Sequence, residues 1–157
     1  MELEDRRDFS SEEEYAAYLK NTAITDIEAK SQELIEAISI VSNSMKVIQV
    51  NQTMGVSCGL SDKELQLLAM KIPAICAFLQ AGLASVSLST TIDETLIDIK
   101  VAQELNEMPK ERGSGTASER TKRAELKYAD RKLENVTMKQ YIKSMQDLIT
   151  RADKVYE

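Results

Sequence analysis

The sequence predicts an all-α protein of long amphipathic helices, arranged as a helical bundle or a coiled-coil-like assembly. Three observations carry that prediction. Turn residues are scarce: 157 residues hold five Gly and two Pro, too few for the many turns of an all-β fold. Apolar residues recur at every third and fourth position over long windows, the period of a helix face. Ser or Thr precedes Glu by three residues ahead of such windows, which is the reciprocal pairing of a capping box.

Residues 1–22 read as a charged N-terminal segment with a short helix. Ser10 and Glu13 make its capping box, and the acids Glu12 to Glu14 suit its first turn. Tyr15, Tyr18 and Leu19 give it a short apolar face, and Asn21 and Thr22 are expected to end it.

Residues 23–108 read as a helical hairpin core. Its first arm, about 23–53, carries a heptad-like stripe of Ile24, Ile27, Ser31, Leu34, Ile38, Val41, Met45, Ile48 and Gln52. The stretch Gly55 to Gly59 breaks that pattern. The second arm opens with Ser61 as cap, Glu64 three residues on, and Leu60 and Leu65 where a hydrophobic staple needs them. Its stripe runs Leu68, Ile72, Ile75, Leu79 and Leu83, then Ile92, Leu96, Ile99 and Leu105. Pro73 lies inside and is expected to kink or split the helix. Gly82 with Ala81, Ala84, Ser85, Ser87 and Ser89 makes a slim section suited to close helix approach.

Residues 109–116 read as a flexible loop from Pro109 through Gly113, Ser114 and Gly115. Thr116 and Glu119 then form a third capping box, and one C-terminal helix is expected over 117–157. Its stripe is Ala124, Tyr128, Arg131, Asn135, Met138, Ile142, Met145, Ile149, Ala152 and Tyr156. No Gly or Pro stop closes it. Ser31, Arg131 and Asn135 occupy seam positions where an apolar residue is expected. Polar seam residues set register or oligomeric state, unless the helices fold so that these sites face outward.

Composition narrows the function. There is no histidine, which removes Ser-His and Cys-His nucleophiles, the usual zinc sets and the commonest general base. Cys58 and Cys76 have no CxxC spacing and read as small hydrophobes of a reducing cytosol rather than a disulfide. The Gly113–Thr116 stretch lacks the spacing of a phosphate-binding loop. The acid clusters Glu12–Glu14 and Asp93–Glu94 lack calcium-loop spacing. The seven methionines read as core filler. The charged N-terminus has no signal-peptide core, and no membrane span is expected. The reading is therefore a cytoplasmic, non-enzymatic protein with no cofactor, no metal and no small-molecule substrate.

One local feature points to a ligand. Residues 110–132 hold eight basic and four acidic residues, a net +4 in a chain of net −6, so the remainder carries −10. A basic loop and helix start beside glycines suits backbone phosphates of a nucleic acid. The candidate contacts are Lys110, Arg112, Arg120, Lys122, Arg123, Lys127 and Arg131. The bland alternative is a solvated helix face whose charges pair at i,i+4. Tyr128 is the one aromatic ring in the segment, so base stacking has little to work with.

The stretch from Glu111-Arg112-Gly113-Ser114-Gly115 through the Arg/Lys/Glu-rich run Ser118–Asp130 to Asp153 resembles small phage-encoded helical proteins, the recombination mediators of the UvsY kind. The resemblance covers about the last third of the chain and consists of common helix-forming residues. It implies an oligomer that binds single-stranded DNA and helps load a recombinase, with Arg112, Arg120, Lys122, Arg123 and Lys127 on the strand backbone. The acidic first two thirds departs from that pattern. The expected function is thus an accessory protein of phage-type DNA recombination or replication, self-associating through its heptad faces and binding single-stranded DNA or a DNA-processing protein. Two other classes remain open: an acidic inhibitor of a host nucleic-acid-binding or defence protein, and a virion or assembly subunit.

Overall fold

The computed structural model describes residues 9–51, 60–108 and 115–156, with the side chains at 13, 45–51 and 156 left aside. Four helices and no strand occur among the described residues: α1 (Glu12–Asn51), α2 (Asp62–Glu107), α3 (Ala117–Leu126) and α4 (Ala129–Tyr156). The all-α prediction holds. The seam side chains of Met45, Ile48 and Tyr156 are among those left aside, and Gln52, the break at Gly55–Gly59 and the loop from Pro109 to Ser114 lie outside the described residues.

The helix starts follow the side-chain chemistry. At α2, the Ser61 amide donates to Glu64 Oε2 at 2.7 Å and the Glu64 amide donates back to Ser61 Oγ at 3.4 Å. At α3, the Thr116 amide donates to Glu119 Oε2 at 2.6 Å and the Glu119 amide to Thr116 Oγ1 at 3.3 Å. At α1 the pairing sits one residue later than the spacing suggests. The Glu14 amide donates to Ser11 Oγ at 3.1 Å, while the Ser10 amide donates to the Glu14 carboxylate at 3.0 Å.

Three boundaries differ from the sequence reading. First, α1 passes through Asn21 and Thr22 without a break. Neither residue forces a stop, and no Gly or Pro follows to enforce one. Second, Pro73 does not split α2, which is helical from Asp62 to Glu107. Third, the C-terminal helix is two. The Tyr128 amide donates to the Glu125 carbonyl at 3.0 Å, a tight i→i−3 bond that ends α3 before α4 begins. No glycine or proline marks this turn.

The chain forms two compact units, one of residues 1–86 with 144–157, the other of residues 87–143. In the first, α1, the N-terminal part of α2 and the C-terminal part of α4 bury Ile27, Leu34 and Ala37, Ile72, Ile75, Leu79, Leu83 and Val86, and Ile149 and Ala152. Burying each large aliphatic side chain contributes about 1.5–3 kcal/mol. α1 runs antiparallel to α2, since Lys71 Nζ meets Glu33 Oε2 at 3.6 Å and Ile27 lies against Gly82. A Cβ on Gly82 would stand 3.0 Å from Ile27 Cγ1, so the slim section does serve close approach. Ser31, at 8% exposure, donates to the Glu28 carbonyl of its own helix at 2.8 Å. Cys76 is a free buried thiol that burial pushes above its ordinary pKa, with Asp153 adding to the effect. Cys58 lies outside the described residues.

In the second unit, the C-terminal part of α2 pairs antiparallel with α4, and α3 packs alongside. Ile97, Val101 and Ala124 form the buried centre, with Leu105, Met108 and Tyr128 against it. Here the seam reading of α2 is corrected. Ile92, Leu96 and Ile99 are 52%, 45% and 48% exposed, while Val86, Thr90, Ile97 and Val101 are buried. The 3–4 spacing from Leu83 continues through Val86, Thr90, Asp93 and Ile97. It crosses two polar residues, which an apolar template skips.

Candidate functional site

The basic segment sits on α3 and the start of α4, and the structure divides its cations into two sets. Lys127 Nζ donates to the Glu104 carboxylate across to α2, and that bond holds the Lys127 ammonium above its ordinary pKa. Arg131 pairs with Asp93, and Lys132 meets Glu125 at 3.3 Å. Farther along α4, Lys139 meets Glu94 at 2.6 Å. Three of these pairs tie α4 and the turn before it to α2, so acids of the helical core neutralise part of the predicted basic surface. Arg120 is half-buried and already engaged within the chain.

Lys122 and Arg123 differ. Both are exposed on α3 and neither forms an ion pair among the described residues. Arg123 only adds to the forces holding Glu119 below its ordinary pKa, of which the Thr116 backbone bond is the largest. Lys110 and Arg112 lie outside the described residues. Of the five described positions, Lys122 and Arg123 form no ion pair among the described residues, Lys127 and Arg131 are ion-paired to α2, and Arg120 is engaged.

Next to Lys122 runs a shallow groove of about 570 Å³ between α3 and α4. Leu126, Leu133 and Val136, 72%, 64% and 50% exposed, give it an apolar floor, and Lys122, Lys132 and Glu125 rim it. A second groove of about 350 Å³ lies over Ile97 and Val136, between Glu94, Asp98 and Lys132. Among the described residues no three of His, Cys, Asp and Glu cluster as a metal site.

Two features escaped the sequence reading. Asp93, which the sequence groups with Glu94 as an acid cluster, is a hub whose side chain is only 17% exposed. It accepts from Asn135 Nδ2 at 2.8 Å and pairs with Arg131. Asn135 is 2% exposed. Asn135 thus faces inward, and Asp93 accepts from it, as buried polar groups require. The signal was present: Arg131 and Asn135 on one helix call for an acid at a seam position of the other, and unbroken 3–4 spacing on α2 lands on Asp93.

The other missed feature is the length of uncharged chain in α2. No charged residue lies between Lys71 and Asp93. α2 is long and apolar enough to cross a membrane by length and composition, and its most apolar 18-residue window is only 28% buried. No membrane span is expected from the sequence; α2 meets the length and composition of one, a test that core helices of soluble proteins also pass. Scattered Ser and Thr had masked the stretch.

Comparison with protein families, with curated protein sequences and with solved structures finds no match to this chain.

Proposed function

We propose that the protein is a non-enzymatic helical accessory factor that binds a single nucleic-acid strand through α3, in line with the resemblance to phage recombination mediators. The observation that supports this reading is the pair Lys122 and Arg123. They remain exposed and free of ion pairs on α3 while their neighbours Lys127, Arg131 and Lys132 are neutralised. The contact is electrostatic and sequence-independent, with Lys122 and Arg123 placed on strand phosphates. Two cations make it weak, with a shallow salt dependence.

A titration of labelled single-stranded DNA at two salt concentrations tests it. Each phosphate contact on a single strand adds roughly −0.7 to the slope of log affinity against log salt. Lys122→Ala with Arg123→Ala is expected to flatten the slope by about 1–1.5 and weaken binding for all strand sequences alike. Absence of binding at low salt, or binding indifferent to both substitutions, rejects the reading.

A further inference from the structure

The groove between α3 and α4 lies wholly within the second unit, and its floor and rim differ in kind. The floor is aliphatic: Leu126 on α3 and Leu133 and Val136 on α4 are each half exposed or more. Covering such side chains is favourable in itself. The rim is cationic. It holds Lys122 and Lys132 against one acid, Glu125, and Lys132 already meets that acid at 3.3 Å. Lys122 is left as the rim charge with no ion pair among the described residues, and Arg123 beside it in sequence is in the same condition. Lys122 and Leu126 stand one turn apart on the same face of α3. An anion held by Lys122 is therefore next to an apolar floor, and the occupant that complements both is an anion with a compact apolar part.

A single nucleic-acid strand offers that combination at every nucleotide. A duplex offers phosphates too, at higher charge density, but keeps its bases in the stack. Phosphate contacts position a strand without reading its bases, so Lys122 and Arg123 alone do not separate one strand from two. The floor does, because only an unpaired base can leave its neighbours and lie on it. Tyr128 packs against the Ile97 centre, so the seat is aliphatic and takes any base by its apolar face. The groove's volume of about 570 Å³ falls within the roughly 300–1,000 Å³ of small-ligand sites. An acidic amphipathic helix is a weaker match. Its carboxylates would want cations on both sides of the floor, and on the α4 side Lys132 is taken by Glu125.

We propose that the α3–α4 groove seats one unstacked base of a bound single strand while Lys122 holds an adjacent phosphate. This rests on the strand-binding reading and adds to it the means by which a single strand is told from a duplex. The test compares, on the full chain at one low salt concentration, oligothymidylate with an abasic strand of the same length and charge. The base-bearing strand is expected to bind about fivefold more tightly, the low end of what one stacked base contributes. Leu126→Asn with Leu133→Asn, both at exposed sites, erases that difference and leaves the salt slope and the helical circular dichroism unchanged. Lys122→Ala with Arg123→Ala flattens the slope instead. Equal affinity for the two strands, as expected of a groove that takes an acidic protein helix, overturns the groove assignment alone. So does a preference that survives both leucine substitutions. No binding of either strand rejects the strand-binding reading and this assignment together.

Discussion

Asn135 Nδ2 donates to Asp93 Oδ2 at 2.8 Å, joining α4 to α2 across 42 residues of sequence. Arg131 approaches the same carboxylate one turn away. A half-buried acid is thereby given both a neutral and a charged donor, which offsets the cost of removing it from water. Asn135→Leu is expected to destabilise the fold by about 1–3 kcal/mol, because Asp93 loses the donor inside the seam. Asp93→Leu costs at least as much, since Asn135 and Arg131 then both lack their acceptor. The paired change Asp93→Leu with Asn135→Leu costs less than the two separately, with a coupling of about 0.5–3 kcal/mol. Urea unfolding of the four proteins checks this, and simple additivity would show that the bond contributes nothing.

The contact between Gly82 and Ile27 sets two effects against each other. Replacing a helical glycine by alanine ordinarily gains about 1 kcal/mol. Here the new methyl would lie 3.0 Å from Ile27 Cγ1 and 3.1 Å from its Cδ1. Ile27 is 1% exposed and hemmed in, so it yields poorly, and overpacking costs about 1–3 kcal/mol. Gly82→Ala is therefore expected to lower the thermal midpoint, and to lower it less in an Ile27→Val background. A rise in the Gly82→Ala midpoint would show that Ile27 repacks freely.

The capping boxes make the helix starts acid-sensitive. Backbone bonds from Ser61 and Thr116 hold Glu64 and Glu119 below the ordinary value of 4.5, and the Ser10 hydroxyl and amide do the same for Glu14. Folded-state values depressed in this way stabilise the helices above the unfolded value and lose that contribution as pH falls through the folded one. Helicity at 222 nm is thus expected to decline below about pH 4.5, beginning at the ends. Glu119→Gln removes the α3 part of that response. Thr116→Ala costs about 1 kcal/mol at neutral pH, through the lost cap.

Much of the fold was legible because its signals are local or periodic. Ser61, Thr116 and their glutamates mark helix starts within four residues, and the stripes of α1 and α4 identify Ile27, Leu34, Ile142 and Ile149 as core. The apolar template failed where the packing is polar: at Thr90 and Asp93 it jumped to Ile92, Leu96 and Ile99, residues of the opposite face. The turn at Lys127–Tyr128 carries no turn residue and is set by packing of Ala124 and Tyr128 on Ile97 and Val101. For the basic segment, net charge was visible but its neutralisation was not, since Glu104 and Asp93 lie 23 and 38 residues before their partners.

Pro73 offers a direct measure of how far tertiary packing overrides local preference. It lies exposed within an unbroken α2, where its ring supplies no amide to the Ala69 carbonyl and disfavours helical geometry at Ile72. Ile72 is nonetheless helical and 3% exposed, so burial of the seam on both sides holds the turn in place. Pro73→Ala restores the missing bond without touching the core. The helix scale sets its gain at up to about 3 kcal/mol, and the greater freedom of the unfolded chain subtracts about 0.4–1 kcal/mol. A net stabilisation of up to about 2 kcal/mol is expected on these terms, read as a higher urea midpoint at unchanged slope. A lower midpoint would mean that the proline-induced distortion is itself what seats Ile72 and Ile75 against their neighbours.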